Sequence, residues 1–283
     1  MPGPRARIPQ AETKLGFRPV NRILMTKTLI FVSVMLYAIP ALSQGPIEDN
    51  SFLIEEAYNQ EKGVIQFINT YYRERRGIWG YSLTHEMPVR KQQHQFSYTV
   101  NVVGSDEHTR FGDTYLNYRY QAAGLDEDDR VAVAPRFTLI LPTGSYRRET
   151  GTGSVGFQFN LPVSVTHSDK FVTHWNAGTT LVPRARNRTG EKANIKGFNL
   201  GQSTVFLAKQ NFNVLVETVW NYRETTVARN RTEGLYSLLI NPGIRWAWNF
   251  KNGLQIVPGV GVPLGVGPSK GERGVFLYLS FEK

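Results

Sequence analysis

The feature that most constrains this chain is a two-residue period in hydrophobicity, which dominates from Gly63 to the end. Between Val155 and Val165, the residues Val155, Phe157, Phe159, Leu161, Val163 and Val165 alternate with Gly156, Gln158, Asn160, Pro162 and Ser164. Successive side chains of a strand point to opposite faces, so this is a strand with one apolar and one polar face. The same alternation sets Phe96, Tyr98, Val100 and Val102 against Gln95, Ser97, Thr99 and Asn101. It also sets Val131, Val133, Phe137, Leu139 and Leu141 against Ala132, Arg136 and Thr138.

Twelve such stretches follow one another, at 63–72, 78–87, 92–103, 111–121, 131–141, 155–166, 171–183, 197–207, 212–222, 234–248, 254–262 and 273–281. Most are longer than the roughly 5–6 residues of a soluble strand. They match the roughly 9–11 that a tilted strand needs to cross a hydrocarbon layer. The odd-numbered connections (73–77, 104–110, 142–154, 184–196, 223–233, 263–272) are mostly long, and the even ones are short except 122–130. Outer-membrane barrels combine short periplasmic turns with longer outer loops, and both chain ends inside require an even strand number.

Charge placement fixes which face meets lipid. Glu86, Asp113, Arg119, Arg136, Glu217 and Arg245 fall on polar faces, and the apolar sets above hold no Asp, Glu, Lys or Arg. A Lys or Arg on the lipid face near the midplane costs about 2–4 kcal/mol, whereas a soluble barrel would carry its charge outside. The expected fold is all-β, a transmembrane antiparallel up-and-down β-barrel of about twelve strands, with those six charged residues lining the pore. Tyr71, Tyr72, Trp79, Tyr81, Tyr118, Tyr120, Phe171, Trp175, Trp220, Tyr222, Trp246 and Trp248 gather toward strand ends, as aromatic girdles do. The last strand, Val275 to Phe281, resembles the segment read by barrel-assembly machinery, with Glu282 and Lys283 following the terminal aromatic.

The chain ahead of the barrel divides in three. Residues 25–43 read as a cleaved signal peptide: Lys27, an apolar run from Leu29 to Ile39, and small Ala41 and Ser43 before Gln44. Residues 1–24 are Pro/Arg-rich and patternless, as expected of an upstream extension from a mis-assigned start. Residues 44–61 hold five acids and no base, and read as a periplasmic segment ahead of a barrel at 62–283. Ser51 with Glu55 and Glu56 can start a short helix there, folded into the barrel mouth; a disordered leader is the alternative. Residues 1–43 carry half of the formal net charge of +10, so the basic composition gives little support to nucleic-acid binding.

Three segments carry a family likeness: Ile54 to Glu61, Phe111-Gly112-Asp113-Thr114, and Leu139-Ile140-Leu141-Pro142-Thr143-Gly144. In this order and spacing they resemble the "MetA-pathway of phenol degradation" group of outer-membrane transporter-like barrels. The resemblance implies passage of small, often aromatic or hydrophobic compounds. Independently of it, Pro142 and Gly144 end the fifth strand, and the following outer loop either folds inward or lies over lipopolysaccharide.

Other chemistry finds little footing. Without cysteine there is neither a disulfide nor a thiol nucleophile. The five histidines form no metal-ligand spacing, no cofactor is expected, and His167-Ser168-Asp169 is a turn whose adjacent residues cannot converge as a triad. Asn187-Arg-Thr189 and Asn230-Arg-Thr232 read as polar loop. The outer loops are basic, and Arg147, Arg148, Arg184, Arg186 and Arg188 are the expected contacts to lipopolysaccharide phosphates. The expectation is therefore a bacterial outer-membrane channel for small solutes and not an enzyme. Its partners would be membrane lipid, lipopolysaccharide, the solute and the assembly machinery. The alternatives are a closed structural or partner-binding barrel and, further off, a lipid-modifying enzyme.

Overall fold

The computed structural model describes residues 50–283 except Arg76, Asp106, Glu107, Glu127 and Asp128. The expected extension and leader, residues 1–43, lie outside the described residues. Twelve antiparallel strands close on themselves. They are β1 (Gln66–Glu74), β2 (Trp79–Val89), β3 (Lys91–Gly104), and β4 in two pieces (Thr109–Phe111 and Thr114–Tyr120). Next come β5, also in two pieces (Val131–Val133 and Arg136–Leu141), β6 (Gly156–Ser168), β7 (Phe171–Arg186), β8 (Lys192–Lys209) and β9 (Phe212–Ala228). The last are β10 (Arg231–Trp246, resuming at Trp248–Asn249), β11 (Gln255–Gly261, resuming at Leu264–Gly265) and β12 (Gly274–Glu282). Each strand pairs with its sequence neighbours, and β12 returns to β1 in register from Gln66 opposite Glu282 to Glu74 opposite Gly274. No edge is left between first and last strands. Among the described residues no helix is long and apolar enough to cross a membrane.

The pleat sorts the two residue sets as the alternation predicts. Phe157, Phe159 and Leu161 are exposed on the outer wall, while Gly156, Asn160, Pro162 and Ser164 are buried inside. Exposed Phe137, Trp175, Leu181, Leu200, Val216 and Leu277 extend the apolar belt around the barrel. At the end where β1 begins and β12 finishes, hereafter the near end, Tyr118 and Tyr120 meet His94, Phe171 meets Phe206 and Trp246 meets Trp248. At the far end Tyr71 meets Trp79, and Phe198, Tyr222, Tyr236 and Trp220 form a chain. Tyr72 departs from the girdle. As the neighbour of outward Tyr71 it must point inward, and it lines the lumen.

Strand lengths depart from the sequence reading on one side. β7 to β10 have 16, 18, 17 and 16 residues, against 7 and 9 for the main piece of β11 and for β12. The expected loops 184–196 and 223–233 are therefore mostly strand, leaving connections of 187–191 and 229–230. Although Ala185 and Ala193 are buried, polar and charged residues interrupt the alternation there and hide these extensions from a hydrophobicity pattern. Their backbone groups still pair in the ladder, as Thr226 opposite Thr232 and Lys192 opposite Arg186 do. The tall strands raise a wall beyond the apolar belt at the far end only.

Candidate functional site

Residues 50–61 run through the lumen, and no helix starts at Ser51. An inner wall of charged and amide side chains substitutes for secondary structure by satisfying the segment's backbone. Glu217 of β9 accepts the N–H groups of Phe52, Leu53 and Ile54 on one oxygen, at 3.0, 2.7 and 3.0 Å, and Asn241 donates to its other oxygen at 2.7 Å. Three consecutive N–H groups aimed at one oxygen form an anion-binding nest. Farther along, Asn176 takes the N–H of Glu55, Ser164 that of Ala57, Gln121 that of Asn59 and Gln95 that of Gln60, at 2.7–2.9 Å.

Arginines hold the segment's carbonyls and acids. Arg119 of β4, 2% exposed, donates to Asn59 Oδ1, to the carbonyls of Glu56 and Tyr58, and to Glu55 Oε1. Glu55 also pairs through Oε2 with Arg136 Nε at 3.0 Å, and Arg245 of β10 donates to the carbonyl of Asn50. These bonds sit in a low-dielectric interior, where an unpaired charge would be expensive.

Apolar side chains of the segment key into glycines of the wall. A Cβ at Gly201 would lie 2.1 Å from Ile54 Cδ1, and at Gly243 and Gly259 it would lie 2.4 and 2.6 Å from the Phe52 ring. Phe52 also stacks against Phe276 and Tyr278, with ring centres 5.4 and 5.6 Å apart. Deeper toward the near end, Ala57 packs on Ala132 and Ala134.

Above this segment lies a cavity of about 1120 Å³. Its floor is residues 50–56, and its walls reach Arg223, Tyr236 and Glu272 at the far rim. Glu86, Asp113, Arg119 and Arg136 line it together with Tyr72, Tyr115, Ile140, Val182 and many Asn and Thr side chains. Glu217 and Arg245, the other two expected interior charges, are buried against the segment instead and do not face the cavity. Of the connection 142–155 only Thr152 lines it. Asp113 ties that connection to the wall, accepting from Gly144 N, Thr152 N and Thr152 Oγ1 at 3.0, 2.8 and 2.9 Å. The Phe111 to Thr114 and Pro142 to Gly144 segments thus meet at one rim clamp.

A family model described as "Putative MetA-pathway of phenol degradation" matches residues 58–281. The chain belongs to this family. No curated protein matches it. Solved structures do: an outer membrane channel from Pseudomonas putida F1 is 10% identical, with a TM-score of 0.56, over 84% of this chain and 98% of that one. The KdgM porin is 10% identical, with a TM-score of 0.50, over 76% and 98%. Both likenesses concern the fold.

In this family member the five rim arginines do not converge. Arg147 and Arg186 lie over the Tyr146 ring, 5.8 and 5.2 Å from its centre, and their hydrogen bonds hold the Tyr146 hydroxyl below its usual pKa. Arg188 pairs with Glu149 at 3.6 Å, Arg148 ends a short 3₁₀ turn, and Arg184 opens a separate groove with Lys192 and Arg229. Asn187 organises its own loop, its Oδ1 accepting from Thr189 N, Thr189 Oγ1 and Glu191 N.

Sequence reasoning missed the amide wall formed by Gln95, Gln121, Asn160, Asn176 and Asn241. The one legible clue was charge complementarity between an acidic segment and interior arginines. It also missed a Ser164 Oγ to His174 Nδ1 contact of 2.8 Å. Both residues are fully buried, and Ser164 already accepts the Ala57 N–H, so the contact is part of the segment's seat. Among the described residues no cluster of His, Asp or Glu is arranged to hold a metal.

Proposed function

We propose that the protein is an outer-membrane channel or facilitator for small solutes, aromatic or hydrophobic ones among them. The observation that carries this reading is the cavity of about 1120 Å³ running from the far rim to the seated segment 50–56. Its lining alternates aromatic and aliphatic surface with amides and hydroxyls, which suits a small amphipathic solute. The family description, which names phenol degradation, and the names of both neighbours, a channel and a porin, support the same reading.

In this reading the far end faces outward and a signal peptide at 25–43 directs export. The barrel-assembly machinery inserts the chain by its last strand. Glu86, Asp113, Arg119 and Arg136 set the polarity of the path, while Glu217 and Arg245 hold the segment that narrows it. Arg147, Arg148, Arg184, Arg186 and Arg188 face lipopolysaccharide.

Planar-bilayer recording of the purified protein is expected to give discrete conductance steps, enlarged when residues 50–60 are deleted. Silence from both proteins would overturn the channel. The dense bonding between segment and wall favours a second reading, a closed partner-binding barrel, and that silence is the result it requires.

A further inference from the structure

Outside the lumen, one feature of the tall wall is built like a ligand site. Where β7, β8, β9 and β10 rise beyond the apolar belt, a groove of about 200 Å³ is lined by Arg184, Lys192, Ala193, Asn194, Arg229 and Asn230. Two ladder irregularities shape it. The β7–β8 register shifts between Ala193 and Ile195, and the β9–β10 register shifts between Thr226 and Ala228. Bulges re-aim side chains that a regular ladder would splay apart.

Two non-glycine residues of the groove hold left-handed backbone, Arg184 at φ 55° and Asn230 at φ 56°. Such conformations persist where surrounding bonds enforce them. Arg184 N donates to Asn194 Oδ1 at 2.9 Å, and Asn230 N to the Lys192 carbonyl at 2.8 Å. These bonds gather three cations, and none of them has an ion pair among the described residues. Glu191, the acid beside Lys192, is turned to Asn187 Nδ2 at 2.9 Å and to the backbone of Arg229. Lys196 takes Glu224. No carboxylate lines the groove.

Three cationic residues lining one groove, with Asn194 and Asn230 beside them, suit a tetrahedral oxyanion, which accepts several charge-assisted hydrogen bonds at once. Height narrows the source. Arg184, Lys192 and Arg229 lie three, six and seven residues beyond the outward Leu181, Phe198 and Tyr222. At about 2.5 Å of axial rise per tilted residue this is about 8–18 Å past the apolar belt, the level of headgroups rather than acyl chains.

We infer that this groove is a binding site for a phosphate monoester, the phosphate of a glycolipid headgroup being the source its height favours. Only that choice of source rests on the outward-facing far end proposed above; binding in detergent does not depend on it, nor on whether the lumen conducts.

Isothermal titration of the purified full chain in zwitterionic detergent tests the site. The ligands are a phosphorylated short-chain glucosamine disaccharide lipid, its dephosphorylated form, and inorganic phosphate. Saturable binding of the phosphorylated lipid alone is expected. It should weaken at least about tenfold in Arg184→Gly/Arg229→Ala, which also relieves the φ strain, and in the single variant Lys192→Gln, but not in Lys251→Ala, an exposed base in the turn after β10 at the near end. Equal binding of inorganic phosphate, lost in the same variants, supports the site and assigns it to free anion. Binding of neither phosphate ligand, or equal weakening in Lys251→Ala, overturns the inference. Unchanged heat-modifiable gel mobility shows that each variant is folded.

Discussion

Glu217→Gln isolates the charge that seats residues 50–61. Both oxygens of Glu217 face donors: three backbone N–H groups on one and Asn241 Nδ2 on the other. An acceptor-only environment of this kind is the one an ionised carboxylate fills. Glutamine keeps the shape and one acceptor oxygen. Its new NH₂ can be met by a flip of Asn241, whose Oδ1 has no hydrogen-bond partner. The substitution therefore removes charge without leaving a donor stranded. Hydrogen bonds to charged acceptors contribute about 1.5–3 kcal/mol net and neutral ones about 0.5–1.5, so three weakened bonds cost the seated state roughly 3 kcal/mol. If seated and released segments interconvert, the released fraction rises by about two decades. Single-channel recording at constant voltage reads this as a rise in open probability. An open probability within about twofold of wild type, in a variant that retains barrel mobility on gels, would refute the seat as the determinant of closure.

Three further outcomes follow from the same geometry. Gly201→Ala places a Cβ against Ile54 and should raise conductance without unfolding the wall; adding Ile54→Ala should restore the wild-type value, and additive effects instead would count against direct contact. Phe159→Arg, on the apolar belt, should lower unfolding free energy in lipid vesicles by about 2–4 kcal/mol, while Gln158→Arg on the inner face should cost clearly less. Glu191 is held below the usual carboxylate range by its bond from Asn187, so its contribution to the 187–191 loop is present at neutral pH and lost as pH falls through that lowered value. Protection of the Thr189 and Glu191 amides, read as exchange relative to the intrinsic rate at each pH, should fall only in acid, and Asn187→Ala should remove that pH dependence.

The barrel is legible in local pattern alone. A strand's side-chain period is two and a lipid face tolerates no charge. Alternation at Val155 to Val165 and the placement of Arg119, Arg136 and Glu217 therefore sufficed to give strand number, pairing order and inside from outside. Local pattern also held the near-end turns and the end of the fifth strand at Pro142 to Gly144, whose turn chemistry is local; the clamp by which Asp113 holds Gly144 and Thr152 is a tertiary contact.

The filling of the lumen, by contrast, depends on contacts between residues far apart in the chain. Residues 50–61 have no period, because their backbone is satisfied by Glu217, Arg119, Arg245, Ser164 and a set of amides spread across six strands and the turn after β4. Those strands are 33 to nearly 200 residues away in sequence. Nothing local marks Gly201, Gly243 and Gly259 as recesses for Ile54 and Phe52. A glycine's missing side chain becomes a fit only once another segment occupies the space. The upper halves of β7 to β10 were invisible for the complementary reason: rich in Arg, Lys, Asn and Thr, they are held by ladder pairing, a contact between strands that hydrophobicity does not encode.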